Sequence, residues 1–134
     1  MRGMDRLVGK TVKEVYLSYD GVTIIFKCDD EEIAYWAEGD CCSESWFNHI
    51  TGIDNLIEGN APVLRVVDKP EITGLKSTRQ EVDIQYGYLI ETRYGYCEIE
   101  FRNASNGYYG GWCQEITEGG SIDWEQMKQV TEDF

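Results

Sequence analysis

The sequence predicts an α+β domain: an antiparallel β-sheet of about six or seven strands, with a short central helix and a C-terminal helix. Apolar and polar residues alternate from Val82 to Ile90 and again from Cys97 to Phe101, which is the period of a half-buried strand. The turn dipeptides Asp20-Gly21, Tyr94-Gly95 and Asn106-Gly107 fall between such runs. Near the end, Ile122, Trp124, Met127 and Val130 recur at near-helical spacing. A chain of 134 residues has room for one hydrophobic core, so 1–134 reads as a single domain.

Each element has a local reason. Val12, Val15 and Leu17 begin the first strand, Asp20-Gly21 turns the chain, and residues 22–27 return as a β-branched and aromatic strand. After Asp29-Asp30, residues 31–37 form a third strand with Ile33, Tyr35 and Ala37 on one face. Ser43 then caps a short helix carrying Trp46, Phe47 and Ile50 that stops around Gly52, and Ile53, Leu56 and Ile57 add one more turn before Gly59. Val63, Leu64, Val66 and Val67 make residues 62–68 a strand, and Pro70 and Gly74 make 69–79 a polar loop. Residues 80–92 and 97–102 pair as antiparallel strands, with Cys97, Ile99 and Phe101 on one face and Glu98, Glu100 and Arg102 on the other. Asn106-Gly107 suits a type I′ turn because both central positions need positive φ; residues 108–114 then return as a glycine-broken strand. Ser121 caps the closing acidic helix, over about 121–132.

Composition narrows the function. The formal charge is −13 and the isoelectric point near 4.3, which disfavours the basic surface that holds duplex nucleic acid or anionic lipid. Residues 28–44 carry seven acids and no Lys or Arg; residues 114–134 carry six acids against Lys128. The remainder is nearly balanced and keeps Arg65, Lys69, Lys76, Arg79, Arg93 and Arg102, so an anionic ligand belongs there. Five cysteines without framework spacing read as reduced. There is no signal-peptide core and no run long enough to span a bilayer, so the expectation is a cytoplasmic protein that does not engage membranes.

The densest chemistry lies in residues 102–112. Arg102 forks onto phosphate, Asn103 and Asn106 read a base or ribose edge, Ser105 adds a hydroxyl, and Tyr108 and Tyr109 offer rings for stacking. The same residues equally suit a plain turn with cross-strand aromatic pairs. Asp40, Cys41, Cys42 and His49 form a second cluster, but adjacent cysteines point apart and do not give a zinc tetrahedron. A Cys42–His49 nucleophile pair lacks an oxyanion or elbow motif, and Asp29-Asp30-Glu31-Glu32 reads as a solvated turn. With no P-loop or dinucleotide fingerprint either, no catalytic residue, metal or cofactor is assigned.

Four segments in this order carry a resemblance: Gly9-Lys10-Thr11-Val12, then Asp40-Cys41-Cys42-Ser43-Glu44-Ser45-Trp46-Phe47, Gly-Ile-Asp-Asn-Leu-Ile at 52–57, and Ser105-Asn106-Gly107-Tyr108-Tyr109. Over residues 7–112 the chain resembles the phage Thoeris anti-defence sponges, and Asp-Cys-Cys followed by Ser-Asn-Gly-Tyr-Tyr is specific as a pair. The resemblance implies a non-enzymatic, phage-encoded protein of the host cytoplasm. Such a protein sequesters the cyclic ADP-ribose isomer made by bacterial TIR-domain proteins, and in some members cyclic oligonucleotides, as a homo-oligomer. The side-chain chemistry of residues 102–112 taken with the motif match puts the expected ligand site at Arg102, Asn103, Ser105, Asn106, Tyr108 and Tyr109. The residues leave a rival: the two acidic segments form a nucleic-acid-mimicking face that blocks a basic groove on a restriction or CRISPR protein.

Overall fold

In β1 (Val12–Ser18) and β2 (Thr23–Cys28) the β-branched run closes around Gly21, whose φ of +76° lies in the left-handed region that favours glycine. This is the first hairpin of a computed structural model that describes residues 4–39, 44–73, 82–105, 111–116 and 122–134. The chain continues through β3 (Glu32–Gly39), β4 (Glu44–Thr51), α1 (Ile53–Ile57), β5 (Arg65–Ile72), β6 (Val82–Thr92), β7 (Gly95–Ser105), β8 (Gly111–Glu115) and β9 (Met127–Val130). These strands form two antiparallel sheets, ordered β8-β3-β2-β1-β9 and β4-β7-β6-β5. The protein is therefore α+β, with antiparallel sheets and one short central helix.

The core sits on the inner faces of the two sheets. Val15, Ile24, Phe26, Ile33, Tyr35 and Ala37 come from the five-stranded sheet; Phe47, Ile50, Tyr86, Tyr88, Ile90, Cys97, Ile99 and Phe101 come from the four-stranded one. Alternation with a period of two selects them on every strand but β4, where Phe47 and Ile50 lie three apart. Phe101 lies between Tyr86 and Tyr88, with ring centroids at 4.9 and 5.9 Å. Ile25 is wholly buried yet lies outside this cluster. It is in register with Tyr16 on the other face, where Trp124 meets the Tyr16 ring edge-on at 5.1 Å.

Two terminal segments fasten the sheets. Near the N-terminus, a 3-10 turn at Asp5–Leu7 leads to a bridge between Val8 and Val63. There Arg6 binds Glu31 and Glu115, and Lys10 binds Asp30 at 2.7 Å and Glu31 at 2.6 Å. At the other terminus β9 pairs with β1, after which Phe134 exchanges backbone hydrogen bonds with Ile50 on β4 at 3.1 and 3.3 Å. Asp133 Oδ1 accepts from Gly52 N at 3.0 Å and from Ile53 N at 2.9 Å.

Several local expectations are corrected. Residues 44–51 form a strand, not the helix expected behind Ser43. The pairing with β7 slips between Phe47 and His49, so Asn48 is an extra residue. That bulge brings Phe47 and Ile50 to the same buried face, which is why their spacing of three looked helical. At the chain end, the expected helix over 121–132 gives way to a 3-10 turn at Trp124–Gln126 and then β9. The open backbone of β1 offers this polar segment hydrogen bonds that a short isolated helix does not replace. β5 begins and ends later than the expected 62–68, because Pro62 and Val63 bridge to Thr11 and Val8. The Asn106-Gly107 turn, Ser43 and Ser121 lie outside the described residues.

Candidate functional site

Arg102 and Asn103 are successive residues of β7 and so project from opposite faces. Arg102 belongs to the outer face of the four-stranded sheet, half-buried, directly opposite Trp46 on β4 and Gln85 on β6. Asn103 belongs to the inner face and is wholly buried. Its Nδ2 donates to Ser45 Oγ at 2.8 Å, while its Oδ1 has no partner among the described residues. Ser105 ends β7 in register with Val82. Asn106, Tyr108, Tyr109 and the Asp40-Cys41-Cys42-Ser43 segment lie outside the described residues. Of the six residues expected to hold a ligand, the structure thus places Arg102 and Asn103 on different sides of one strand.

What the fold sets beside Arg102 is a constellation that the helical reading of residues 43–50 concealed. The bulge puts Asn48 on the outer face between two polar neighbours: Trp46 Nε1 donates to Asn48 Oδ1 at 3.4 Å, and Asn48 Nδ2 donates to Glu100 Oε2 at 2.6 Å. Glu100 and Arg102 share this face because they are two apart on β7, about 7 Å along the strand. The alternation of Glu98, Glu100 and Arg102 was the sequence signal for that face. The bulge that adds Trp46 and Asn48 leaves no such signal.

Two other acids of the same face are paired with cations. Lys69 Nζ binds Glu98 Oε1 at 2.6 Å, its side chain lying over Gly87, where a Cβ would come within 3.2 Å of Lys69 Cδ. Arg65 binds Glu91 at 2.7 Å and Tyr96 Oη at 2.9 Å; this holds the Glu91 carboxyl below the ordinary range. Among the described residues Glu100 has no cationic partner, only the neutral amide of Asn48. The face thus carries the Glu100 carboxylate at one strand position and Arg102, in register with Trp46, at the next.

Elsewhere the chemistry is muted. Burial pushes the Cys28 thiol up to about 11 and the Cys97 thiol up to about 12, and raises Cys113 further, so these thiols stay protonated near neutrality. His49 Nδ1 lies 3.0 Å from the Phe134 carbonyl oxygen. No group of three metal-ligating side chains occurs among the described residues, and no helix there is long and apolar enough to cross a membrane.

Residues 5–114 match the family model described as Domain of unknown function, DUF7448. The chain belongs to this family. An uncharacterized protein of Acanthamoeba polyphaga mimivirus is 37% identical over 102 residues, covering 72% of this chain and 77% of that protein. No solved structure matches. The span matched by the family model takes in Trp46, Asn48, Glu100 and Arg102 and ends before β9.

Proposed function

We propose that the chain is a non-catalytic binding protein that captures a cyclic nucleotide signal on the outer face of its four-stranded sheet. The observation that carries this reading is the register that sets Arg102 opposite both Trp46 and Gln85. A guanidinium binds phosphate in a forked geometry, an indole stacks a base, and an amide reads a polar edge. Trp46 is oriented by Asn48, and Arg102 stands on a strand inside the sheet, so the face is held by rigid elements. Capture without turnover is supported by the protonated buried thiols and by the contact between His49 and the chain end. In the setting implied by the resemblance to the Thoeris sponges, the cargo is a cyclic ADP-ribose isomer or a cyclic oligonucleotide. The protein then acts in the infected cell's cytoplasm as a homo-oligomer.

The nucleic-acid-mimic reading has less support. Asp30, Glu31 and Glu115 are engaged by Arg6 and Lys10, and Asp133 caps backbone N–H groups of the α1 turn, so two of the seven acids of one segment and two of the six of the other are spent within the fold.

Calorimetric titration of the protein with cyclic ADP-ribose isomers and cyclic di- and trinucleotides tests the proposal. Binding by the wild type should be lost in Arg102→Ala, with at least a tenfold drop from removing a charge-assisted contact. Unchanged binding by a folded Arg102→Ala protein would remove this face as the site.

A further inference from the structure

Resting on that reading, we infer that Glu100 is the base-reading residue of the site and that it selects a nucleotide whose base presents an exocyclic amine. Three observations meet at this side chain. It shares the outer face of β7 with Arg102, one strand repeat away, and Arg102 is in register with Trp46 on β4. Its Oε2 is held at 2.6 Å by Asn48 Nδ2, whose own Oδ1 takes the indole N–H of Trp46. It has no cationic partner among the described residues, whereas Glu98 and Glu91 are paired with Lys69 and Arg65.

The bulge is what makes this arrangement. In a regular strand Asn48 would not be the extra residue that links Trp46 to Glu100; the slip between Phe47 and His49 supplies it, as bulges do where a side chain must be re-aimed. Asn48 thereby sets the stacking surface and the carboxylate with one side chain, as a positioning residue. An ionised carboxylate only accepts hydrogen bonds, so it rewards an N–H donor and repels a carbonyl oxygen. A base stacked on Trp46 with its phosphate toward Arg102 would turn its edge along β7 toward Glu100. The N6 amine of adenine or the N2 amine of guanine satisfies that carboxylate; hypoxanthine has no exocyclic amine, sets its 6-oxo oxygen against it and offers only its single N1–H. The carboxylate also repels phosphate, which fixes the orientation of the ligand along the face.

The test compares pairs matched except at the C6 edge of the base: cyclic di-AMP with cyclic di-IMP, and a cyclic ADP-ribose isomer that keeps a free 6-amino group with its hypoxanthine counterpart, each titrated into wild type, Glu100→Gln and Arg102→Ala. The amino member should bind the wild type roughly tenfold or more tightly than its oxo partner, the range expected for a hydrogen bond to a charged group. In Glu100→Gln, whose amide both donates and accepts, that ratio should shrink to about threefold or less. Arg102→Ala should weaken both members of a pair alike. Asn48→Ala should erode the amino preference more than it weakens binding of the oxo member, which a merely structural role would not do. Equal binding of the two members by the wild type, or an unchanged ratio in a folded Glu100→Gln protein, overturns the inference and leaves capture at Arg102 standing. Failure of every member to bind the wild type overturns the capture reading as well.

Discussion

Phe101 touches three rings at once: it stacks on Tyr86 and Tyr88 and meets Phe47 edge-on at 6.1 Å. Truncating so central a ring leaves a cavity that its strand-bound neighbours do not fill, so Phe101→Ala should cost about 3–5 kcal/mol in urea unfolding. A loss under 1 kcal/mol would mean that the two sheets do not pack there. Asp133 belongs to the opposite class, an exposed carboxylate whose worth lies in two backbone N–H groups, those of Gly52 and Ile53. Gly52 has a φ of +82°, and a Cβ there would fall 2.2 Å from the Tyr96 carbonyl oxygen, so the turn that aims these donors requires glycine. Asp133→Ala should cost about 1 kcal/mol, the size of a lost helix cap, without changing ligand binding.

β4 and β9 are the elements on which sequence and structure part, for one reason. Periodicity in the alternating strands β6 and β7 was legible, since Tyr86, Tyr88, Ile99 and Phe101 face the core in simple alternation. β4 carries a bulge and β9 buries Val130 at its end, so neither writes a period of two into the sequence. The candidate site was half legible for the same reason: Arg102 stood out by type and position, whereas Trp46 and Asn48 depended on the bulge. Deleting Asn48 should turn the bulge into a regular strand that keeps Phe47 and Ile50 on the core face, so near-ultraviolet dichroism should stay native; loss of that spectrum would contradict the assigned register. Removing residues 131–134 should strip the Phe134 partner from Ile50 and speed amide exchange at Ile50 more than at Ile99, in the interior strand β7. Equal protection of Ile50 in both proteins would mean that the chain end does not close the β4 edge.

Across the whole molecule the net charge is −13, and Arg6 and Lys10 gather three of the acids, Asp30, Glu31 and Glu115, at one point. The direction of the shifts fixes the pH response. Hydrogen bonds from Lys10 lower the Asp30 and Glu31 carboxyls, those from Arg65 lower Glu91, and the Gly52 and Ile53 N–H groups lower Asp133. Their stabilisation is present above the unfolded values of 3.8 for Asp and 4.5 for Glu and is lost as the pH falls through the lower folded ones. Lys10 is raised by the same pairs, so its contribution is full below 10.5 and lost only in strong alkali. Thermal melts should therefore show a plateau across neutrality and a fall in acid below about pH 4; a maximum in acid would contradict the pairing. The claim that unites these scales is capture without chemistry at the Arg102 face. Its most direct measurement is native mass spectrometry of the protein mixed with cyclic ADP-ribose isomers and cyclic di- and trinucleotides, followed by heat release and chromatography. The account predicts a stable complex that returns its nucleotide unaltered and that Arg102→Ala fails to form; an altered nucleotide, or no retained nucleotide at all, would contradict it.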